Sequence, residues 1–406
     1  MTRPSRSILL IYIAAWLRSF GIGLLGVVLG VFLYRQGLRS SQIGFVIAAG
    51  LAGAALATVF VTVRAERVGR KKTLFGLSLL TAFGALPLIF GFDFPALMFL
   101  AFVGMLNGMG TDRSASFALE QAVIPGLVSD KQRTWTLSWY NLVLDSGGAL
   151  GALAAGIPLL EQRLWGVDLT ASYRTLFAGY AALNLMSGAL YLFLPRDIEI
   201  PSTGLLAGKR NLVSPETKSV VTRLAGLFAI DSLGGGLLSD ALVSYWFFRR
   251  FGLAESTLGV LFFAVHLLNA LSHLGAAFIA RRIGLVKTMV FTHLPSSLFL
   301  IAVPFVPSTR WAVLLFLLRE ALVEMDVPTR QSYVAAVVRP NERTFASGVT
   351  NLTRNFSWAA ASSIAGFLMQ IAFSAPLLVG GSLKIIYDLL LYRAFRHVVP
   401  PEEKPG

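Results

Sequence analysis

The sequence predicts an all-α membrane protein with twelve transmembrane helices in two pseudo-symmetric six-helix bundles. Three observations predict it. Apolar runs are long enough to cross a bilayer, charge is scarce, and the two halves of the chain repeat a pattern. Of 406 residues, 55% are hydrophobic and 14% charged, against about 25% charged in a typical soluble domain. Mean hydropathy is +0.69.

Twelve apolar segments can be marked, at approximately 7–34, 42–63, 73–91, 95–124, 134–160, 174–194, 223–248, 256–280, 285–306, 310–338, 344–372 and 376–396. A helix needs about 20 apolar residues to span the hydrocarbon core. Spanning β-strands would instead alternate over segments of about ten residues. Inside lipid the backbone must satisfy its own hydrogen bonds, so each run is expected to be helical. The first run follows a basic flank, as a signal peptide would, but it continues apolar to Tyr34 and reads as a retained helix.

The formal charge of +14 does not mark a nucleic-acid binder, because the cations sit in short loops between apolar runs. With the N-terminus inside, the cytoplasmic loops hold roughly threefold more Lys and Arg than the outer loops. That places both termini in the cytoplasm of a plasma membrane, the inner membrane if the cell is bacterial. Zero cysteines exclude disulfides, thiolate metal sites and cysteine nucleophiles. The tract from Pro195 to about Thr222 is longer, and rich in Pro, Gly and charge. It divides the chain into an N-terminal bundle at 1–194, a cytoplasmic linker at 195–222 and a C-terminal bundle at 223–406.

The halves resemble each other. Leu17-Arg18-Ser19-Phe20-Gly21 with Gly23-Leu24-Leu25 recurs as Ile230-Asp231-Ser232-Leu233-Gly234 with Gly236-Leu237-Leu238. Gln121, Arg133-Thr134, Asn141 and Gly156 recur at constant spacing as Gln331, Arg343-Thr344, Asn351 and Gly366. Segment 1 therefore matches segment 7, and segment 5 matches segment 11. Each half has an even number of crossings, so the repeats run parallel.

After segment 2 comes Thr62-Val63-Arg64-Ala65-Glu66-Arg67-Val68-Gly69-Arg70-Lys71-Lys72. This resembles the signature loop of the major facilitator superfamily, with Thr62 in place of the usual first glycine and Glu66 in place of aspartate. A worn copy, Arg281-Arg282-Ile283-Gly284, follows segment 8. The resemblance covers the whole chain. It implies two six-helix bundles around a central cavity lined by helices 1, 4, 7 and 10, exposed to alternate sides by rocking. It also implies a monomer. Within that scheme Glu66, Arg67, Gly69 and Arg70 form a cytoplasmic gate loop, with Glu66 pairing arginines or capping a neighbouring helix. The plainer alternative is a basic cluster that only fixes topology.

Charges inside the spans are costly, about 2.5–3.5 kcal/mol each at the bilayer centre on an insertion scale. They must face an interior or a partner. Segment 1 carries Arg18. Segment 4 carries Asp112, Arg113 and Glu120, the last two seven apart and so on one helical face. Segment 7 carries Asp231, matched to Arg18 in the repeat, so these two are candidates to pair. Segment 10 carries Glu320, Glu324, Asp326 and Arg330, with Asp326 and Arg330 spaced as an i,i+4 pair. Pro328 should kink it. Segments 5 and 11 add Asn141, Asn351 and Arg354. The set reads as a substrate or proton pathway, with Glu320 or Glu324 as first choice for the proton. The alternative is a set of static pairs that fix helix register.

Other patterns mislead. Gly21-Ile22-Gly23-Leu24-Leu25-Gly26 fits a dinucleotide fingerprint but lies within a span with no preceding strand. No HExxH, P-loop or GxSxG is present, so neither an enzyme nor a nucleotide-driven pump is expected, and no cofactor. The expectation is a secondary transporter of a small organic solute, coupled to protons, with a lean to efflux of amphiphilic compounds. Uptake of a sugar, organic anion or other nutrient is the alternative within the class. A receptor or scaffold that does not transport is the alternative outside it. The expected partners are the lipid bilayer, the solute and protons.

Overall fold

A computed structural model describes residues 6–112, 114–128, 130–199, 213–338 and 342–395. Among them all regular structure is helical, with no strand. In chain order the helices are α1 (Arg6–Arg35), α2 (Ser40–Val68), α3 (Arg70–Phe83), α4 (Leu86–Phe90), α5 (Phe94–Val103), α6 (Ala115–Val123), α7 (Asp130–Leu153), α8 (Ile157–Trp165), α9 (Leu169–Leu192), α10 (Pro215–Gly236), α11 (Asp240–Phe251), α12 (Glu255–Ile283), α13 (Leu285–Ala302), α14 (Thr309–Val323), α15 (Asp326–Val337), α16 (Arg343–Ile371) and α17 (Ala375–Phe395). Among the described residues nine helical stretches are long and apolar enough to cross a membrane.

The three predicted spans outside that set are the fourth, tenth and eleventh. The eleventh is one helix, α16, but an unusually polar one. The fourth and tenth, expected as single helices, are each broken in two. Residues 104–114 separate α5 from α6, and Glu324 and Met325 separate α14 from α15. The sequence explains both breaks. Asn107 folds the first one locally: its Nδ2 donates to Thr111 O at 2.8 Å and its Oδ1 accepts from Met109 N at 2.8 Å. Gly110 has φ +80 and presses against Asp240, so only glycine fits there. In the second, restarting at Asp326 puts Pro328 in the first turn of α15, where its missing N–H costs no intrahelical bond. The expected kink is thus a full restart. The break also removes the single helical face that was to align Arg113 with Glu120; Arg113 itself lies outside the described residues.

Cα packing groups the chain into two compact units. One comprises Met1–Lys209 with Ser239–Phe263, the other Arg210–Leu238 with Ala264–Gly406. Within the first unit α1 packs on α7 and α9, and α3 on α9. Within the second α10 packs on α16 and α17, and α13 on α17. The internal packing of both units therefore follows the repeat.

Small residues make the α1–α7 approach possible. A Cβ on Gly23 would strike the Gly148 carbonyl, and one on Gly151 the Phe20 carbonyl. Ser19 Oγ donates to Leu144 O at 2.6 Å along the same seam. Seams of small residues with a hydroxyl donor are how helices associate where lipid removes the hydrophobic driving force. In the second unit Ser362 Oγ donates to Gly236 O at 2.9 Å across α16 and α10.

Candidate functional site

Each unit buries an extended ionic network. In the first, Arg18 is 4% exposed. Its Nε donates to Asp112 Oδ2 at 2.8 Å, its Nη2 to Glu120 Oε2 at 2.5 Å and its Nη1 to the Tyr191 hydroxyl at 2.6 Å. The hydroxyls of Tyr140 and Tyr191 donate to Glu120 at 2.7 and 2.6 Å. Ser114 N donates to Asp112 Oδ1 at 3.0 Å. The helix break matters here. Asp112 sits on irregular backbone and can reach Arg18 side-on, while Glu120 approaches from α6.

In the second unit Asp231 lies between two cations. Lys384 Nζ donates to its Oδ1 at 2.8 Å and Arg330 Nη1 to its Oδ2 at 3.1 Å. Arg330 also pairs with Asp326 at 2.8 Å, the i,i+4 contact that the spacing suggests. His293 Nδ1 lies 3.0 and 3.1 Å from the two oxygens of Asp388, and its Nε2 lies 3.3 Å from Lys384 Nζ and 3.8 Å from Asp231 Oδ1. All these side chains are buried.

Arg18 and Asp231, suggested as a pair, each find partners within their own unit, Arg18 two carboxylates and Asp231 two cations. Glu320 is buried and paired with the adjacent Arg319. Glu324, half-buried, caps the C-terminus of α14. Arg354 donates to Ser232 Oγ at 3.3 Å and stacks on Trp358 at 4.8 Å. Asn141 and Asn351 are exposed, so neither sits among the buried charges.

In the gate loop, the side chains of Glu66 and Arg67 lie outside the described residues. Gly69 turns the chain with φ +98. The acid that caps α3 is Glu199, whose carboxylate accepts from Arg70 N at 2.8 Å and Lys71 N at 2.9 Å. Arg70 Nη1 reaches Ile198 O at 3.1 Å. The sequence reading missed Glu199, for no local pattern links it to a loop 129 residues earlier.

It also missed His293, Lys384 and Asp388. Here a signal existed. Lys384 and Asp388 are four apart on one face of a predicted span, and the cost of buried charge that singled out segment 10 applies to them equally.

Buried ionic networks on broken, corresponding helices, inside a two-unit helical membrane protein, are in keeping with a transporter fold. The profile of the Major Facilitator Superfamily matches residues 11–362 and, again, 224–406. The chain belongs to that superfamily, and is a multi-pass membrane transporter rather than an enzyme. It is 28% identical over 422 residues to an uncharacterized membrane protein of Saccharomyces cerevisiae, covering 95% of this chain and 93% of that one. Its fold is similar to a variant of the nucleoside transporter NupG, with TM-score 0.75, 12% identity, and 96% of this chain and 99% of that chain covered. It is likewise similar to the inward-open xylose transporter XylE from E. coli, with TM-score 0.73, 14% identity, and 98% of both chains covered. For the human organic anion transporter MFSD10 the TM-score is 0.61 and the identity 18%, with 95% of this chain and 99% of that one covered.

Proposed function

We propose that this protein carries a small organic solute across the membrane by alternating access, coupled to a proton held by His293 and Asp388. One observation carries the coupling. In the second network Asp231 and Asp326 pair directly with the permanent cations Arg330 and Lys384, with Arg354 also near Asp231, whereas Asp388 is paired with His293. Among the described residues Asp388 hydrogen-bonds only to His293. A carboxylate so placed in a buried site is relieved by a proton, and imidazole beside it is the side chain suited to take and release one.

The geometry gives that proton something to do. A neutral His293 donates from Nδ1 to Asp388 and accepts at Nε2 from Lys384. A proton on Nε2 turns the acceptor into a donor and sets it against the Lys384 ammonium. Lys384 must then withdraw, and Asp231 Oδ1, 3.8 Å from Nε2, is the acceptor within reach. Protonation thereby rearranges the cations held by Asp231 on α10, which shifts the balance between two conformations. This replaces Glu320 and Glu324 as first choice, since Glu320 already has Arg319.

The moving parts follow the repeat, as halves 1–194 and 223–406 joined by the linker at 195–222, although Ser239–Phe263 group with the first unit in this structure. Both termini are cytoplasmic and one copy of the chain suffices. The fourth and tenth helices are interrupted in corresponding halves, which supports a solute site beside them near the bilayer midplane. The aromatic and apolar interior supports efflux of an amphiphilic solute. Uptake is the second reading, favoured by the fold shared with a D-xylose–proton symporter.

The test compares metabolites inside and outside cells with and without the protein. The solute so identified is then assayed in proteoliposomes under an imposed pH gradient. Flux that follows the gradient supports the proposal, and flux indifferent to it removes the coupling.

A further inference from the structure

An apolar groove of about 940 Å³ runs along the outside of the first unit between α2, α3 and α5. Gly53 and Phe60 on α2, Gly76 on α3 and Phe102 on α5 form its wall. At one end, beside the α2–α3 turn, stand Arg64 and Lys72. Both are exposed. Among the described residues neither has an ion-pair partner and no carboxylate lines the groove.

The dimensions select an occupant. From Gly53 to Arg64 is eleven residues, a rise of about 16 Å along a helix. One leaflet of the hydrocarbon core is about 15 Å deep, half of about 30 Å. The groove therefore extends from its cationic end over the depth of one leaflet. Its apolar surface suits an acyl chain and its cations suit a phosphate. Two cations, with no carboxylate among the described lining residues, favour a headgroup of net negative charge over a zwitterionic one. Gly76 keeps the floor low, for a side chain there would meet no protein atom within 4 Å and would stand in the groove itself, whereas Gly53 lets α2 close on α5, where a Cβ would strike the Phe102 carbonyl.

We propose that this groove is a binding site for one anionic phospholipid of the leaflet on the α2–α3 side, its phosphate between Arg64 and Lys72 and its acyl chain along α2 and α3. The site is separate from both ionic networks, and the proposal does not rest on proton coupling.

The test uses the full chain, delipidated in neutral detergent, with a mixture of dioleoylphosphatidylglycerol and dioleoylphosphatidylcholine, read by native mass spectrometry. Retention of the glycerol lipid should exceed that of the choline lipid by roughly 30-fold, from two cations near the headgroup. The variant with Arg64→Gln and Lys72→Gln should lose that preference, and Gly76→Leu should lose retention of both lipids. Both variants should melt like the parent, since Arg64 and Lys72 are surface positions and leucine is a better helix former than glycine. Equal retention of the two lipids would overturn the proposal. So would an unchanged preference in the charge variant, unchanged retention in Gly76→Leu, or displacement by inorganic phosphate, which would mark a free-anion site.

Discussion

The two buried networks begin from matched positions of opposite charge. Position 18 is arginine and recruits two carboxylates; position 231 is aspartate and recruits two cations. Among the described residues each holds a carboxylate that leans on something other than a permanent cation, but they do so differently. In the first unit, Glu120 accepts from Arg18 and from two tyrosine hydroxyls, and Asp112 accepts from Arg18 and a backbone amide. Every carboxylate there is served by groups that remain protonated across the physiological range. In the second unit Asp388 depends on His293, whose proton is exchangeable. The repeat supplies two scaffolds, and one difference in partner chemistry makes the first a clamp and the second a switch.

Breaking the clamp should have the largest effect. Arg18→Met removes the cation that, among the described residues, pairs with the buried Asp112 and Glu120, and uncompensated buried charge costs about 3–5 kcal/mol. The expected outcome is a protein that melts far earlier in detergent, or fails to accumulate. A melting point equal to the parent's would show that the network is open to water. Lys384→Met should cost less, about 1–3 kcal/mol, because Arg330 still holds Asp231. Equal losses in the two variants would erase the contrast between the units. Asn141→Ala should change stability by no more than about 0.5 kcal/mol, as exposed positions do. A larger drop would give Asn141 a partner that its exposure does not suggest.

Much of this was legible beforehand, for reasons that differ by feature. Helices were readable because lipid imposes one solution on an apolar run, and the repeat was readable because Arg18 and Asp231 lie in matching frames of small residues. Asp326 and Arg330 were readable because an i,i+4 pair is local. The breaks at 104–114 and at Glu324 were not. Apolar composition continues across them, and what stops the helix is the side-chain fold of Asn107 and the close packing of Asp240 on Gly110. The carboxylates on Arg18 were not legible, because matched repeat positions point to Asp231, while the partners within its own unit are those that the broken fourth helix delivers. Glu199 and the His293–Asp388 pair join residues 129 and 95 positions from their partners, beyond any local pattern.

Proton coupling turns on Asp388 and its histidine, and one assay reaches that pair most directly. In proteoliposomes of the whole protein, Asp388→Asn keeps the hydrogen bond to His293 but removes the charge. Exchange of labelled for unlabelled solute, which needs no net proton movement, should continue at a rate near the parent's. Accumulation driven by a pH gradient should vanish. If the variant still concentrates solute against its gradient as the parent does, the proton is carried elsewhere and the second network is as static as the first.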